Sequence, residues 1–375
     1  MNDDPGRDVE FLTGELSGED EVLDTGPRRP VPRWALIVGV LVVLALIVTA
    51  VVQRGGGGGT PVAVPSTPAP TTTAPTVPPT QYVPNIEVSA AYSLVGDERE
   101  RRLFALSGAQ LFAIGLNGQQ IGHGVPVQVG DEPNADVELV LDGPAHVIWA
   151  VPQNATGHDG SAAGFAEPFG TRALHAGPRI PLPGLVESAA ALDGTLYVST
   201  SAGLWRTTSP GAPFEQVANA PTSADAMLVA DPARHRLLDV LFGAHRPQAR
   251  VFRLGEPISA PHRLPSRTIS LAVVGRTIWL GGSQHGHALL TALDPATLRP
   301  GPDVVHGGSD VGLEGTGRRS LYVSVGPRLL CLDGSTGRRL ADLGRSRGSF
   351  ASVGGRGFFG TQSALHPVAM GRCPG

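Results

Sequence analysis

Residues 85–375 predict an all-β fold, a seven-bladed β-propeller, from three observations. Short apolar runs alternate with Gly, Asp and Pro turns, and no sustained 3.6-residue periodicity appears. A strand–turn–strand unit recurs, its second strand rich in aromatic and β-branched residues. The turns fall near positions 108, 143, 194, 232, 275, 317 and 355, at intervals of 35 to 51 with a mean near 41. Repeats of about 40–50 residues, each supplying several short strands, are the mark of propeller blades. Six or eight blades are the neighbouring counts.

The clearest copies are AAALDGTLYVST (189–200), LAVVGRTIWLGG (271–282), LEGTGRRSLYVSVG (313–326) and FASVGGRGFFGTQ (350–362). Weaker ones are FALSGAQLFAIG (104–115), VELVLDGPAHVIWAV (137–151) and LVADPARHRLLDVLF (228–242). Burial explains the repetition: a lone four-stranded blade cannot cover both of its faces, whereas ringed neighbours can. The last copy is followed only by SALHPVAM and a short tail, so it lacks an outer strand. The run IEVSAAYSLV (86–95) has no blade of its own and is expected to supply that strand and close the ring.

Three segments precede the propeller. Residues 1–33 carry nine acids and four Arg and few large apolar side chains, the composition of a disordered acidic tail. Residues 34–52, WALIVGVLVVLALIVTAVV, are nineteen uncharged residues, enough for a helix to cross a bilayer. Arg28, Arg29 and Arg33 precede that run and only Arg54 closely follows it. This asymmetry puts the N-terminus in the cytoplasm and the large domain outside. The 33-residue lead and the absence of an A-x-A cleavage pattern favour an uncleaved anchor over a signal peptide. Residues 53–84 form a Gly-, Pro- and Thr-rich spacer, flexible at Gly55–Gly59 and extended beyond.

The basic residues are all Arg, a bias typical of GC-rich bacterial coding. Beyond residue 33 there are 24 acids against 25 Arg, so the large domain is near neutral and shows no basic field for nucleic acid. Dispersed Arg reads as solubilising surface.

Candidate chemistry is sparse. Cys331 and Cys373 are the only cysteines; outside the cytoplasm they form a disulfide fastening the last blade, or remain two free thiols. His285 and His287 sit in a Gly-rich hairpin without a nearby carboxylate, short of the three protein ligands of a catalytic zinc. Asp310 and Glu314 fall near the mouth of the expected channel, where single acids are ordinary turn formers. Trp149, Trp205 and Trp279 sit in or beside blade strands and read as packing. Neither a nucleophile elbow nor a phosphate loop occurs. No catalytic, cofactor-binding or metal-ligating residue is therefore assigned. The irregular stretch 152–180 is where a catalytic loop would hide.

The run LYVSVGPRLLCLDGSTGRRL (321–340) resembles the quinoprotein-like and YVTN-type propeller repeats, and ALLTALDPATLRPG (288–301) is similar. GLWRTTSPGAPFEQV (203–217) resembles a degenerate Asp-box repeat: Thr207, Gly211 and Phe214 match its pattern, while Ser209 replaces the Asp. The resemblance implies a propeller and leaves function open, because such propellers include enzymes, scaffolds and receptors. Quinone enzymes with this repeat commonly have adjacent cysteines; here the two are far apart. The resulting expectation is a membrane-anchored extracytoplasmic propeller that binds or scaffolds envelope proteins or glycans, without a cofactor. The alternative is an envelope hydrolase or quinone-type oxidoreductase with a loop-built site at the channel.

Overall fold

The structure is a computed structural model. It describes residues 93–128, 136–153, 163–218, 226–242, 246–308, 311–317, 319–346, 348–360 and 365–373. The acidic tail, the apolar run 34–52 and the spacer lie outside the described residues, among which no helix is long and apolar enough to cross a membrane.

The domain is a seven-bladed β-propeller. Six blades are four-stranded antiparallel meanders and the seventh has three strands among the described residues. The inner strands, in blade order, are Leu94–Asp97, Val137–Asp142, Val186–Leu192, Ala226–Asp231, Thr268–Val274, Val311–Thr316 and Ser349–Val353. Each packs beside the next, and the seventh packs beside the first, so the ring is closed.

Seven apolar clusters hold it together, one at each blade–blade interface. Strand alternation produces this arrangement. In Thr277–Gln284, Ile278 and Leu280 join the cluster shared with blade 4, while Trp279 points the other way into the cluster shared with blade 6. Both faces are buried, so these strands read as continuous apolar runs rather than as alternating ones. Trp279 also donates from Nε1 to the Gly334 carbonyl at 2.7 Å, joining blade 5 to blade 6. Trp149 is likewise buried, and Trp205 packs half-buried against the blade 2–3 cluster.

Six of the seven recurring units are the hairpin of a blade's inner and second strands. The first is displaced: 104–115 forms the second and third strands, with Phe104 opposite Ala113. The inner hairpin of blade 1 turns through Glu98–Arg101. There the Asp97 carboxylate accepts the amides of Arg99 and Glu100, and Arg101 takes φ +53. An Asx turn with Arg in the left-handed position carries no glycine to mark it.

The end of the run expected to close the ring lies in blade 1. Leu94 and Val95 pair with Ala105 and Phe104 there, so they do not extend the last blade; residues 86–92 lie outside the described residues. Closure among the described residues comes from face packing. Leu103, Ala105 and Ile114 meet Ala351, Val353, Phe358 and Leu365. The Gly354 amide donates to Glu98 at 3.0 Å, and Arg356 donates to the Leu116 carbonyl at 2.5 Å. Gly96 permits the close approach, since a Cβ there would overlap the Ser352 carbonyl. Cys331 and Cys373 are disulfide-bonded with Cα atoms 6.0 Å apart, tying the chain beyond the last strand to blade 6.

Each inner strand is also a sheet edge, with amides that the sheet does not use. Blades 1 to 3 supply acceptors for them across the interfaces. Ser93 Oγ accepts the Leu139 amide at 2.9 Å, Glu138 Oε2 accepts Ala189 at 3.0 Å, and Ser188 Oγ accepts Leu228 at 3.1 Å. Glu138 also accepts from Gln153 Nε2 at 2.9 Å. Burial nevertheless raises its carboxyl to about 7, because desolvation outweighs the two bonds.

Two outcomes follow. Cys373→Ala should lower unfolding stability by about 3–4 kcal/mol, the loop-closure value for a separation of 42 residues, read by denaturant titration with and without reductant. An unchanged midpoint would contradict a structural role for the bond. Glu138 should be neutral in the fold at pH 4 and charged at pH 8, so its raised pKa favours folding below the ordinary value of 4.5 and that effect is lost as pH rises from there through about 7. Glu138→Gln should therefore match the parent at about pH 4 and exceed it by about 1–2 kcal/mol at pH 8. A pH-independent difference would contradict the assignment.

Candidate functional site

In an antiparallel meander, the turns joining strands one to two and three to four lie at the same end of the blade. In blades 5 and 6 these turns carry exposed Arg276, Arg299, Arg319 and Arg338. None of the four side chains makes an ion pair or hydrogen bond among the described residues. Hydrogen bonds to main-chain carbonyls knit the turns together. Arg234 of blade 4 donates to the Arg276 carbonyl at 2.9 Å, Arg236 reaches the Pro295 carbonyl at 2.5 Å, and the Gly334 amide donates to the Arg319 carbonyl at 2.8 Å. The near-neutral domain thus gathers a basic arc over blades 5 and 6, where composition alone suggested dispersed solubilising charge.

The two outer turns of this arc share one device. Asp333 Oδ1 accepts the amides and hydroxyls of Ser335 and Thr336 at 2.6–3.0 Å. These bonds hold its carboxyl down at about 2. Asp294 Oδ1 likewise accepts the Ala296 and Thr297 amides and the Thr297 hydroxyl, which lower its pKa. Each carboxylate is occupied by its own turn. Both turns then need a left-handed residue: Gly337 at φ +68 in blade 6 and Leu298 at φ +54 in blade 5.

A cavity of about 400 Å³ opens between blades 3 and 4 at the same end, lined by Asp193, Tyr197, Arg234, His235, Phe252 and Leu254 among others. Asp193 and His235 pair at 2.7 Å across the interface, Arg253 pairs with Glu256 at 3.1 Å, and Arg234 with buried Asp231 at 3.1 Å. Its charges are therefore internally balanced. A matching bridge joins blades 1 and 2, where His146 meets Glu100 at 3.0 Å and Arg172 meets Glu100 at 3.1 Å. Both histidines occupy left-handed turn positions, φ +56 at His146 and φ +48 at His235. The sequence signal was available in D-G-P-A-H and D-P-A-R-H: an Asp opening a tight turn that ends on a histidine.

The remaining candidates are scattered. His285 and Gly286 are both left-handed in their hairpin turn, and His287 begins the following strand, paired with Gln284. No group of three His, Cys, Asp or Glu side chains suited to a metal ion occurs among the described residues. Glu314 accepts from the Ser324 hydroxyl at 2.6 Å, and Asp310 lies outside the described residues. The stretch 152–180, expected to be an irregular loop, contributes the strand Ala163–Gly170 to blade 2 and leads to the outer strand Ile180–Pro183; residues 154–162 lie outside the described residues. In blade 3, Thr207 Oγ1 donates to the Ser209 and Ala212 carbonyls, each at 3.1 Å, so a hydroxyl holds the turn in which Ser209 stands for Asp.

These features define a seven-bladed β-propeller with an arginine-bearing turn face. No protein-family model matches the chain, and no curated protein does. Among solved structures, PorZ of Porphyromonas gingivalis, an essential bacterial surface component of the type-IX secretion system, aligns with TM-score 0.52 and 12% identity over 76% of this chain. The alignment spans 38% of the PorZ chain. The computationally designed protein Ika8 aligns with TM-score 0.49 and 8% identity, over 75% of this chain and 96% of its own. AztD of Citrobacter koseri aligns with TM-score 0.43 and 14% identity, over 74% of this chain and 75% of its own. At such identities the likeness is one of fold.

Proposed function

We propose that this protein is a binding or scaffold module of the cell envelope. In this reading residues 34–52 anchor it in the membrane, the tail 1–33 is cytoplasmic, the spacer 53–84 extends outward, and the propeller engages an envelope protein or glycan. The observation that carries the reading is the arc of Arg276, Arg299, Arg319 and Arg338, held on hydrogen-bonded turns and unpaired among the described residues. Folding gains little from like charges set side by side, whereas a complementary partner gains both steering and register. The resemblance in fold to a bacterial surface component is in keeping with it.

A second reading, an envelope enzyme, rests on Asp193 and His235 beside their cavity, since a carboxylate that orients an imidazole is the arrangement of a general base. Its weakness is exposure: the side chains are 50% and 77% accessible, so the pair is wet and weakly held.

The test is capture of solubilised envelope protein and glycan by the immobilised full chain, against the same chain carrying Arg276→Glu, Arg319→Glu and Arg338→Glu. A ligand retained by the parent and lost from the variant is the expected result. Retention that ignores the triple reversal would overturn the assignment of this face.

A further inference from the structure

The cavity between blades 3 and 4 has an apolar floor and a polar rim. Leu192, Tyr197 and Phe252 form the floor, all buried in the cluster that joins the two blades. The two rings meet edge to face, with centroids 5.9 Å apart. Leu254 stands on the rim at 63% exposure. It lies in a tight turn that the Glu256 amide closes on the Arg253 carbonyl at 3.1 Å.

The rim carries two ion pairs. Asp193–His235 joins the inner hairpin turns of the two blades, and Arg253–Glu256 lies on the turn between the third and fourth strands of blade 4. Backbone geometry sets both members of the inner pair. Asp193 and Gly194 are left-handed, at φ +52 and +80, as the two-residue turn between paired Leu192 and Thr195 requires. Each pair engages one carboxylate oxygen: Asp193 Oδ2 meets His235 Nδ1, and Glu256 Oε2 meets Arg253 Nη1. Asp193 Oδ1, Glu256 Oε1, Arg253 Nε and Nη2, and the Thr195 hydroxyl have no hydrogen-bond partner among the described residues.

Acceptors and donors therefore stand side by side around one apolar floor. A free anion entering here meets Asp193 and Glu256, and a free cation meets Arg234 and Arg253. A hydroxyl avoids both repulsions, because it donates to a carboxylate while accepting from the basic group beside it. A sugar ring has such hydroxyls at its edge and C–H groups on its faces.

We propose that this cavity binds an uncharged sugar unit of an envelope glycan. Asp193 and Glu256 accept from its hydroxyls, Arg253 and Thr195 donate to them, and Leu254 packs against a C–H face. At about 400 Å³ the cavity falls within the range of small-ligand sites. The exposure that weakens a catalytic reading of Asp193 and His235 leaves them within reach of a sugar carried on a polymer. The inference rests on the glycan side of the binding reading above, and it uses this cavity instead of the arginine arc.

The experiment is calorimetric titration of the full chain with uncharged trisaccharides of N-acetylglucosamine, glucose, mannose, galactose and arabinose. Glucuronate and alanine are the anionic and zwitterionic comparators. Parent, the double variant Asp193→Ala/Glu256→Ala, and Glu215→Ala are compared, with thermal unfolding as the folding control. Glu215 is an exposed carboxylate of blade 3 that pairs with Arg206 and does not line the cavity. At least one trisaccharide should bind the parent, lose about tenfold or more in the double variant, and stay within about twofold in Glu215→Ala. If the double variant fails to fold, Glu256→Gln on its exposed turn carries the comparison. Absence of trisaccharide binding to the parent, equal binding by the variants, or tighter binding of glucuronate or alanine would overturn the proposal. Envelope capture that depends on the arginines while no trisaccharide binds would remove this site alone. Trisaccharide binding alongside capture that ignores the arginine reversals would remove the arc and leave this site standing.

Discussion

A propeller places an unpaired strand edge at the heart of every blade. The inner strand bonds to one neighbour in its own sheet, and its other row of amides faces inward, where each must find an acceptor or water. Here Ser93, Glu138 and Ser188 each accept an inner-strand amide of the following blade. The geometry is a relay, because Glu138 adjoins the donor Leu139 and Ser188 adjoins the donor Ala189. At the next register position stands Met227, whose thioether accepts only weakly, and no such bond continues from it among the described residues. The bonds fix rotation between neighbouring blades, which apolar packing alone leaves loosely set.

Around this inner ring the remaining forces are additive and local. Each interface buries its own apolar cluster. The disulfide then holds the segment after the final strand against blade 6, at the blade with fewest strands among those described. Stability so distributed leaves the turns at the blade ends free to vary. There the arginines of blades 5 and 6 and the His–carboxylate pairs of blades 1–2 and 3–4 are found.

Much of this architecture was legible in the sequence, because the cause of a blade is short-range. Hairpins such as Thr268–Val274 with Thr277–Gln284 announce themselves by apolar strands and a glycine turn, and their spacing counts the blades. Where turn chemistry departs from glycine, as at Glu98–Arg101, the recurring unit lies one strand further on, and Leu94 and Val95 belong to blade 1 rather than to the last blade. The site was far less legible. Arg276 and Arg338 are 62 positions apart and lie at one end of the ring only because adjacent blades repeat the same meander. Asp193 and His235 belong to different repeats as well. A periodic fold reveals its scaffold through local pattern, whereas its surface chemistry is assembled across repeats.

The central claim is that side chains of one blade satisfy the inner-edge amides of the next. Native-state hydrogen exchange of the full chain, resolved at the amides of Leu139, Ala189 and Leu228, tests it most directly. The account predicts protection at all three comparable to that of amides bonded within the sheets, opening only with the blade as a whole. Exchange at the rate of a solvated strand edge, while the sheet amides beside them stay protected, would contradict it.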